Sequence, residues 1–207
     1  MSTIPAKKNQ DGIWSMIKLG IILAVYAVAS CTVLAVVNNV TSPVIRENNI
    51  RKANETMKAV FPDADEFADP ETKCGTTKSG KTVIDSVKLA KKNGETLGAV
   101  VQISGPTYDR STIMVGMDLN GTITGMRYLN NTDTPGFGQK GSDPTFKLKS
   151  GKTFFGQFEG FDSDKGFVTN ETFDAISGAT ITSNGIATMM DDAAEAMKEC
   201  LGIGGIK

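Results

Sequence analysis

The chain has 207 residues and a net charge of −1, from 22 lysines and arginines against 23 aspartates and glutamates. This balance excludes the concentrated basic face of a nucleic-acid-binding protein, so we expect no nucleic-acid partner. The chain has no histidine and no C-x-x-C pair, which removes the commonest general base and the usual ligands of zinc, haem and iron–sulfur clusters.

The first predicted element is a membrane span. Residues 19–37 read LGIILAVYAVASCTVLAVV without a charge, and a helix of that length rises about 28 Å, close to the hydrocarbon thickness of a bilayer. A cleaved signal peptide has a shorter apolar region of roughly 7–15 residues before an A-x-A-like site. The run therefore predicts a retained transmembrane helix over residues 19–40, preceded by an N-terminus of residues 1–18.

The charges that flank this span do not orient it. Three lysines precede it, and Arg46, Arg51 and Lys52 follow it. The two sides are equal under the positive-inside rule, and a large C-terminal domain can be translocated regardless of its charge. The charge pattern leaves the side of the membrane open.

A second helix and a loop are predicted after the span. Apolar residues recur at helical intervals across residues 41–62, which predicts a juxtamembrane helix that ends near Phe61-Pro62. Residues 63–80 are polar and contain Pro70, Gly75 and Gly80, which is typical of a surface loop.

After this loop, the spacing of the apolar residues changes to the alternation that is typical of β-strands. Residues 82–91 and 96–104 flank Asn93-Gly94, and residues 111–119 and 122–129 flank Asn120-Gly121. Asn-Gly between alternating apolar residues is the strongest short hairpin signal. The sequence predicts four strands in two hairpins of an antiparallel sheet.

Seven phenylalanines lie between Phe137 and Phe167, and residues 186–201 carry one apolar stripe. The phenylalanines would suit a nucleotide-stacking surface, but the core of a small domain is the commoner use. The stripe predicts an amphipathic C-terminal helix. The fold class is therefore predicted to be α+β, a sheet with flanking helices.

The three cysteines are interpreted separately. Cys31 is interpreted as a packing residue, and Cys74 and Cys200 could form a disulfide if their domain lies outside the cytosol.

The most informative segment precedes that helix and reads DAISGATITSN over residues 174–184. Ser183 or Asn184 is predicted to cap the helix, whose N-terminal amides and dipole suit a phosphate group. Gly178 and Ala179 leave room for another molecule beside the neighbouring hydroxyl. An ordinary capped turn would explain the same residues equally well.

Asp174-x-x-Ser177-Gly178-Ala179-Thr180 resembles the flavinylation motif D-x-x-(S/T)-G-A-T of membrane redox complexes. The resemblance implies that Thr180 bears FMN through a phosphoester bond, transferred from FAD by a dedicated flavin transferase. It makes Ser177, Gly178 and Ala179 the recognition context, and Thr182 and Ser183 extend it.

The segment Asp133-Thr134-Pro135-Gly136-Phe137-Gly138 is similar to the E-T-P-G-L-G element of the same family. Pro-Gly favours a type II turn, which directs backbone amides at a ligand. The resemblance implies flavin contacts from Asp133, Thr134, Gly136 and Phe137. Asp133 replaces the glutamate of the family, and Asn131 stands where a histidine is common, so a proton-donating role of that histidine is in doubt.

Across nearly its whole length the chain resembles the G subunit of Rnf-type ferredoxin:NAD⁺ oxidoreductases. This implies a cytoplasmic N-terminus, residues 1–18, and an extracytoplasmic FMN-binding domain, residues 63–207, on a bacterial cytoplasmic membrane. Its flavin would pass electrons between flavin- and iron–sulfur-bearing subunits of an ion-translocating complex. The alternatives are the equivalent subunit of a sodium-translocating NADH:quinone reductase, a stand-alone extracytoplasmic flavin reductase, or an anchored structural domain without a cofactor.

Overall fold

The computed structural model describes residues 10–71, 74–75 and 77–203. Residues 1–9 of the predicted N-terminal segment lie outside the described residues. The chain divides into two compact units, Met1–Ile50 and Arg51–Lys207.

One helix, α1, runs from Gln10 to Val60 and has Pro43 inside it. The predicted span and the predicted juxtamembrane helix are therefore parts of a single helix. In the described part of the chain this is the one helix that is long and apolar enough to cross a membrane. Its apolar side chains between Trp14 and Val40 are exposed, as lipid-facing residues would be.

The second unit is built on an antiparallel sheet with the strand order β1-β2-β3-β4-β5. The strands are β1 Glu66–Ala68, β2 Val83–Lys92, β3 Glu95–Pro106, β4 Arg110–Asp118 and β5 Ile123–Asn131. The prediction of four central strands is confirmed, and so is the α+β class. The prediction of a loop over residues 63–80 is wrong in part, because β1 pairs with the end of β2. A strand of three residues is too short to show an alternating pattern.

The major core lies between the sheet and helix α2, Thr180–Leu201. The predicted apolar stripe of α2 is buried against it, and β3 and β4 contribute the facing side chains. Six of the seven phenylalanines pack in or against this core, as predicted, and only Phe137 does not. They lie in the segment between β5 and α2, which contains three short 3₁₀ helices at Gly138–Ser142, Phe155–Phe158 and Ser163–Lys165.

The end of α1 covers the other face of the sheet. Met57, Val60 and Phe61 form a second core there with residues of β2, β3 and β4. Glycines at the contact allow the close approach: a Cβ at Gly116 would lie 2.9 Å from the Val60 carbonyl oxygen. The Thr124 hydroxyl donates a 2.6 Å hydrogen bond to that same oxygen and so satisfies the end of the helix.

The segment before β2 is fastened to α2. Cys74 and Cys200 form a disulfide with their Cα atoms 5.2 Å apart. The buried Asp192 carboxylate accepts hydrogen bonds from the amides of Lys78 (3.1 Å) and Ser79 (2.9 Å), from the Ser79 hydroxyl and from the Thr82 hydroxyl (2.6 Å). Burial raises the pKa of Asp192, but these hydrogen bonds outweigh it and hold the pKa below its ordinary value.

We predict that Asp192→Asn lowers the free energy of unfolding at neutral pH by about 1.5–3 kcal/mol, because donors then meet an amide group in place of a charged acceptor. The pKa of Asp192 is lowered in the folded state, so its contribution is present above the ordinary pKa of about 3.9 and is lost as the pH falls through the folded-state value. The difference between parent and variant should therefore shrink below about pH 4. Urea unfolding of the detergent-solubilised protein, followed by circular dichroism, measures this difference in the free energy of unfolding.

Asp191→Asn is the matched control. The Asp191 carboxylate accepts one hydrogen bond from a backbone amide, that of Phe167, and burial raises its pKa. A raised pKa means that ionisation costs stability, so the neutral amide should be tolerated at neutral pH and the dependence on pH should have the opposite sign. If the free energy of unfolding of Asp192→Asn stayed below that of the parent by the same amount at every pH, the role assigned to the Asp192 charge would be contradicted.

Candidate functional site

The loop of residues 174–179 turns directly into α2, which begins at Thr180. Gly178 has a φ of +78°, which favours glycine, and Ala179 occupies the N-cap position without a side-chain hydrogen bond. The predicted cap at Ser183 or Asn184 is therefore wrong. The Ser183 hydroxyl instead accepts a hydrogen bond from the Ile176 amide (3.0 Å) and donates one to the Ala179 carbonyl (3.1 Å), which folds the loop back onto the first turn of the helix.

Asp133 is fully buried and joins three segments of the chain. Its Oδ2 accepts a 2.6 Å hydrogen bond from the Thr182 hydroxyl. Its Oδ1 accepts hydrogen bonds from the Thr107 hydroxyl (2.6 Å) and from the Asp109 amide (2.8 Å). Three donors on one buried carboxylate offset its loss of hydration. The turn between β3 and β4, the end of β5 and the first turn of α2 are thereby held together.

Asn131 supports this arrangement. Its Oδ1 accepts a hydrogen bond from the Asp133 amide (3.0 Å), and its Nδ2 donates to the Gly138 carbonyl (3.3 Å) and to the Ser142 hydroxyl (3.4 Å). These contacts brace the loop, so the side-chain amide of Asn131 has a structural role.

The Thr134-Pro135-Gly136-Phe137 segment is a β-turn. The Phe137 amide donates a 3.2 Å hydrogen bond to the Thr134 carbonyl, and Gly136 has a φ of +78°. These are the features of the predicted type II turn. The turn is exposed, and the Phe137 ring lies against Gly178, whose ideal Cβ would be 3.6 Å from Cδ1 of the ring.

A cleft of about 500 Å³ opens between these segments. Most of its surface is apolar, and three large side chains on it are exposed: Tyr108 by 66%, Ile181 by 61% and Phe137 by 55%. The complete lining is Tyr108, Thr134, Phe137, Gly138, Gly178, Ala179, Thr180, Ile181 and Thr182. Exposed apolar side chains gathered in one concave surface are typical of a ligand site.

A second cleft of about 450 Å³ meets the first at Gly178 and Thr180. It is more polar, and the exposed Lys147 and Lys149 line it together with Ser177 and residues of the loop before α2. Thr180 therefore lies between an apolar cleft and a cleft that carries two lysines. The positive end of the α2 dipole lies at the same place.

The structure brings most of the predicted site residues together. Thr134, Phe137, Gly178, Ala179, Thr180 and Thr182 line the first cleft, and Ser177 lines the second. Asp133 and Ser183 are buried behind the surface as hydrogen-bonding supports, and Gly136 lies on the turn outside the lining. Sequence reasoning assigned no role to Tyr108, Gly138 or Ile181. The one signal that the sequence offered for Tyr108 was an aromatic residue between two predicted strands.

The two threonines of the motif differ in access. Thr180 is exposed, whereas Thr182 is 1% exposed and its hydroxyl is bonded to Asp133. Of these two hydroxyls, that of Thr180 is therefore the one open to reaction with an incoming molecule. In the described part of the chain no three histidine, cysteine, aspartate or glutamate residues form a group that could hold a metal ion.

Comparison with known proteins shows which family the chain resembles. Residues 107–195 match the FMN-binding domain family, and residues 7–60 match the RnfG N-terminal region. The G subunit of the Na⁺-translocating ferredoxin:NAD⁺ oxidoreductase complex of Acetobacterium woodii is 30% identical, over 84% of this chain and 88% of the relative.

Two further relatives are similar over comparable lengths. The G subunit of an ion-translocating oxidoreductase complex of Photorhabdus laumondii is 28% identical, over 83% of this chain and 85% of the relative. The G subunit of the proton-translocating ferredoxin:NAD⁺ oxidoreductase complex of Clostridium ljungdahlii is 25% identical, over 91% of this chain and 93% of the relative. The chain therefore belongs to the family of G subunits of Rnf-type ion-translocating oxidoreductase complexes.

Proposed function

We propose that this chain is the electron-carrying subunit of a membrane-bound, ion-translocating ferredoxin:NAD⁺ oxidoreductase complex and that it carries FMN esterified to Thr180. The names of its relatives and the match to the FMN-binding domain support the first part. The observation that carries the second part is the exposed Thr180 hydroxyl at the junction of the two clefts.

The residues present fit the two chemically different parts of FMN. The first cleft offers aromatic and aliphatic surface to a flat ring, and Phe137 and Ile181 contribute to it. The phosphate end would lie at the start of α2, where backbone amides and the helix dipole favour negative charge. Lys147 and Lys149 add positive charge on the other side of Thr180.

Attachment requires one group transfer. The Thr180 Oγ would form a bond to the flavin-side phosphorus of FAD, the phosphoanhydride bond would break, and AMP would leave while the hydroxyl proton is released. We expect a flavin transferase to supply the catalytic groups for this step. The hydrogen bond that the Thr182 hydroxyl donates to Asp133 argues against Thr182 as the acceptor.

Bound FMN would supply the electron transfer, and the chain would supply position and environment. The Asp133 hydrogen bonds hold the walls of the cleft, and the Thr134–Phe137 turn closes one side of it. The partners would be the other membrane subunits of the complex, which carry flavins and iron–sulfur clusters.

We place the unit that follows the span on the outer side of a bacterial cytoplasmic membrane, with α1 as a single span over residues 19–40. The Cys74–Cys200 disulfide supports this side, because disulfides persist in oxidising compartments and are rare in the cytosol. The flanking charges do not oppose it.

We predict that Thr180→Val abolishes covalent flavin and leaves the fold intact, because valine keeps the shape and removes the attacking oxygen. The protein is produced with its flavin transferase and examined on a denaturing gel under ultraviolet light. The parent and Thr180→Ser should fluoresce, and Thr180→Val should not. A fluorescent band from Thr180→Val would refute the assignment.

Thr182→Val and Thr188→Val are the controls on the same helix. Thr182→Val should keep its fluorescent band but lose about 1–3 kcal/mol of stability, because an oxygen of the buried Asp133 loses its donor. The Thr188 hydroxyl donates a hydrogen bond to the Asn184 carbonyl one turn earlier in the helix. Thr188→Val should therefore keep both the fluorescent band and the stability of the parent. Loss of the band in Thr182→Val with the fold retained would move the ester to Thr182.

We predict that an alkaline phosphatase fused after Lys207 is active and that a reporter active only in the cytosol is silent at the same position. Alkylation of the protein with a thiol reagent, before and after reduction, should show that Cys74 and Cys200 are blocked in membranes from growing cells. The opposite reporter pattern would place the domain in the cytoplasm.

A further inference from the structure

Tyr108 is an exposed aromatic residue at the edge of the apolar cleft. It lies in the turn between β3 and β4 and lines this cleft with two thirds of its surface exposed. Among the described residues, none forms a hydrogen bond or a ring contact with it. Packing does not account for an aromatic side chain in this position.

The backbone on both sides of Tyr108 is nevertheless held firmly. The Thr107 hydroxyl and the Asp109 amide both donate to Oδ1 of Asp133. The turn also lies directly on α2, because a Cβ at Gly185 would be 2.9 Å from the Cα of Thr107. The side chain of Tyr108 is thus presented from a fixed backbone, as in a site organised before its ligand arrives.

The two aromatic residues of the cleft are anchored at different points along α2. Phe137 lies against Gly178, just before the helix begins, whereas the turn that carries Tyr108 lies against Gly185 in the second turn. Both side chains line the same cleft, and Thr180 and Ile181 lie between these two anchoring points in the sequence. A flat ligand tethered at Thr180 would therefore enter a space with one aromatic side chain at each end.

We propose that Tyr108 stacks on the isoalloxazine ring of the attached FMN and forms the aromatic wall opposite Phe137. This inference rests on the proposed attachment of FMN at Thr180. Tyrosine differs from phenylalanine at such a place because its phenol is readily oxidised. A stacked phenol gives one electron to the photoexcited ring and takes it back, which quenches fluorescence without net chemistry.

The test uses full-length, FMN-loaded protein in detergent and measures flavin fluorescence under native conditions, divided by the fluorescence of the same sample after denaturation. Tyr108→Phe keeps the ring and removes the oxidisable phenol, so the native fluorescence per attached FMN should rise several-fold. Tyr108→Leu should raise it as well, and it should also shift the flavin midpoint potential because the aromatic face is lost.

Tyr128→Phe is the matched control. Tyr128 is the other tyrosine of this unit, and it does not line the apolar cleft. Its removal should leave the native fluorescence unchanged. Equal native fluorescence in the parent and Tyr108→Phe would overturn the stacking role of Tyr108, and so would an equal rise in Tyr128→Phe.

The denatured signal separates this inference from the function on which it rests. If the parent shows no flavin on the denaturing gel, the attachment at Thr180 fails. If flavin is attached and the Tyr108 variants do not differ from the parent, only the stacking fails.

Discussion

The site depends on the carboxylate of Asp133. A buried charge is costly to remove from water, and this one is stabilised by donors from the β3–β4 turn and from the first turn of α2. Because the three segments meet at one side chain, the walls of the apolar cleft cannot move independently. Gly138 is part of the same constraint, since a Cβ there would lie 2.5 Å from both the Asp133 carboxylate and the Thr182 hydroxyl.

The sheet carries this site between two helical layers. The last turns of α1 cover one face, and α2 with the phenylalanine-rich segment covers the other. The first turn of α2 holds Thr180 at the edge of the cleft. The apolar face of the rest of the helix is buried against the sheet, and Asp192 and Cys200 join the helix to the Cys74 segment. The proposed attachment residue thus belongs to a well-packed helix, which would suit a carrier whose cofactor must keep a constant distance from its partners.

The two clefts divide the chemistry of the surface around Thr180. Apolar and aromatic side chains lie on one side, and two lysines lie on the other. A flavin nucleotide has the same division between its ring and its phosphate. On the attachment proposed here, a threonine at the boundary would hold such a molecule through its phosphate while the ring lies in the apolar cleft, and the flavin itself would supply the redox chemistry.

The sequence by itself determined the long apolar helix, the four alternating strands, the apolar stripe of α2 and the motif that ends at Thr180, because each is a local pattern. Tertiary structure alone decided which hydroxyl is available. The motif in the sequence ends at Thr180, but it does not show that Thr180 is exposed while Thr182 is buried and bonded to Asp133, 49 residues away. The pairing of β1, the disulfide between residues 126 positions apart and the place of Tyr108 in the cleft were decided in the same way. These features depend on contacts between distant segments, and such contacts produce no periodic pattern of apolar and polar residues in the sequence.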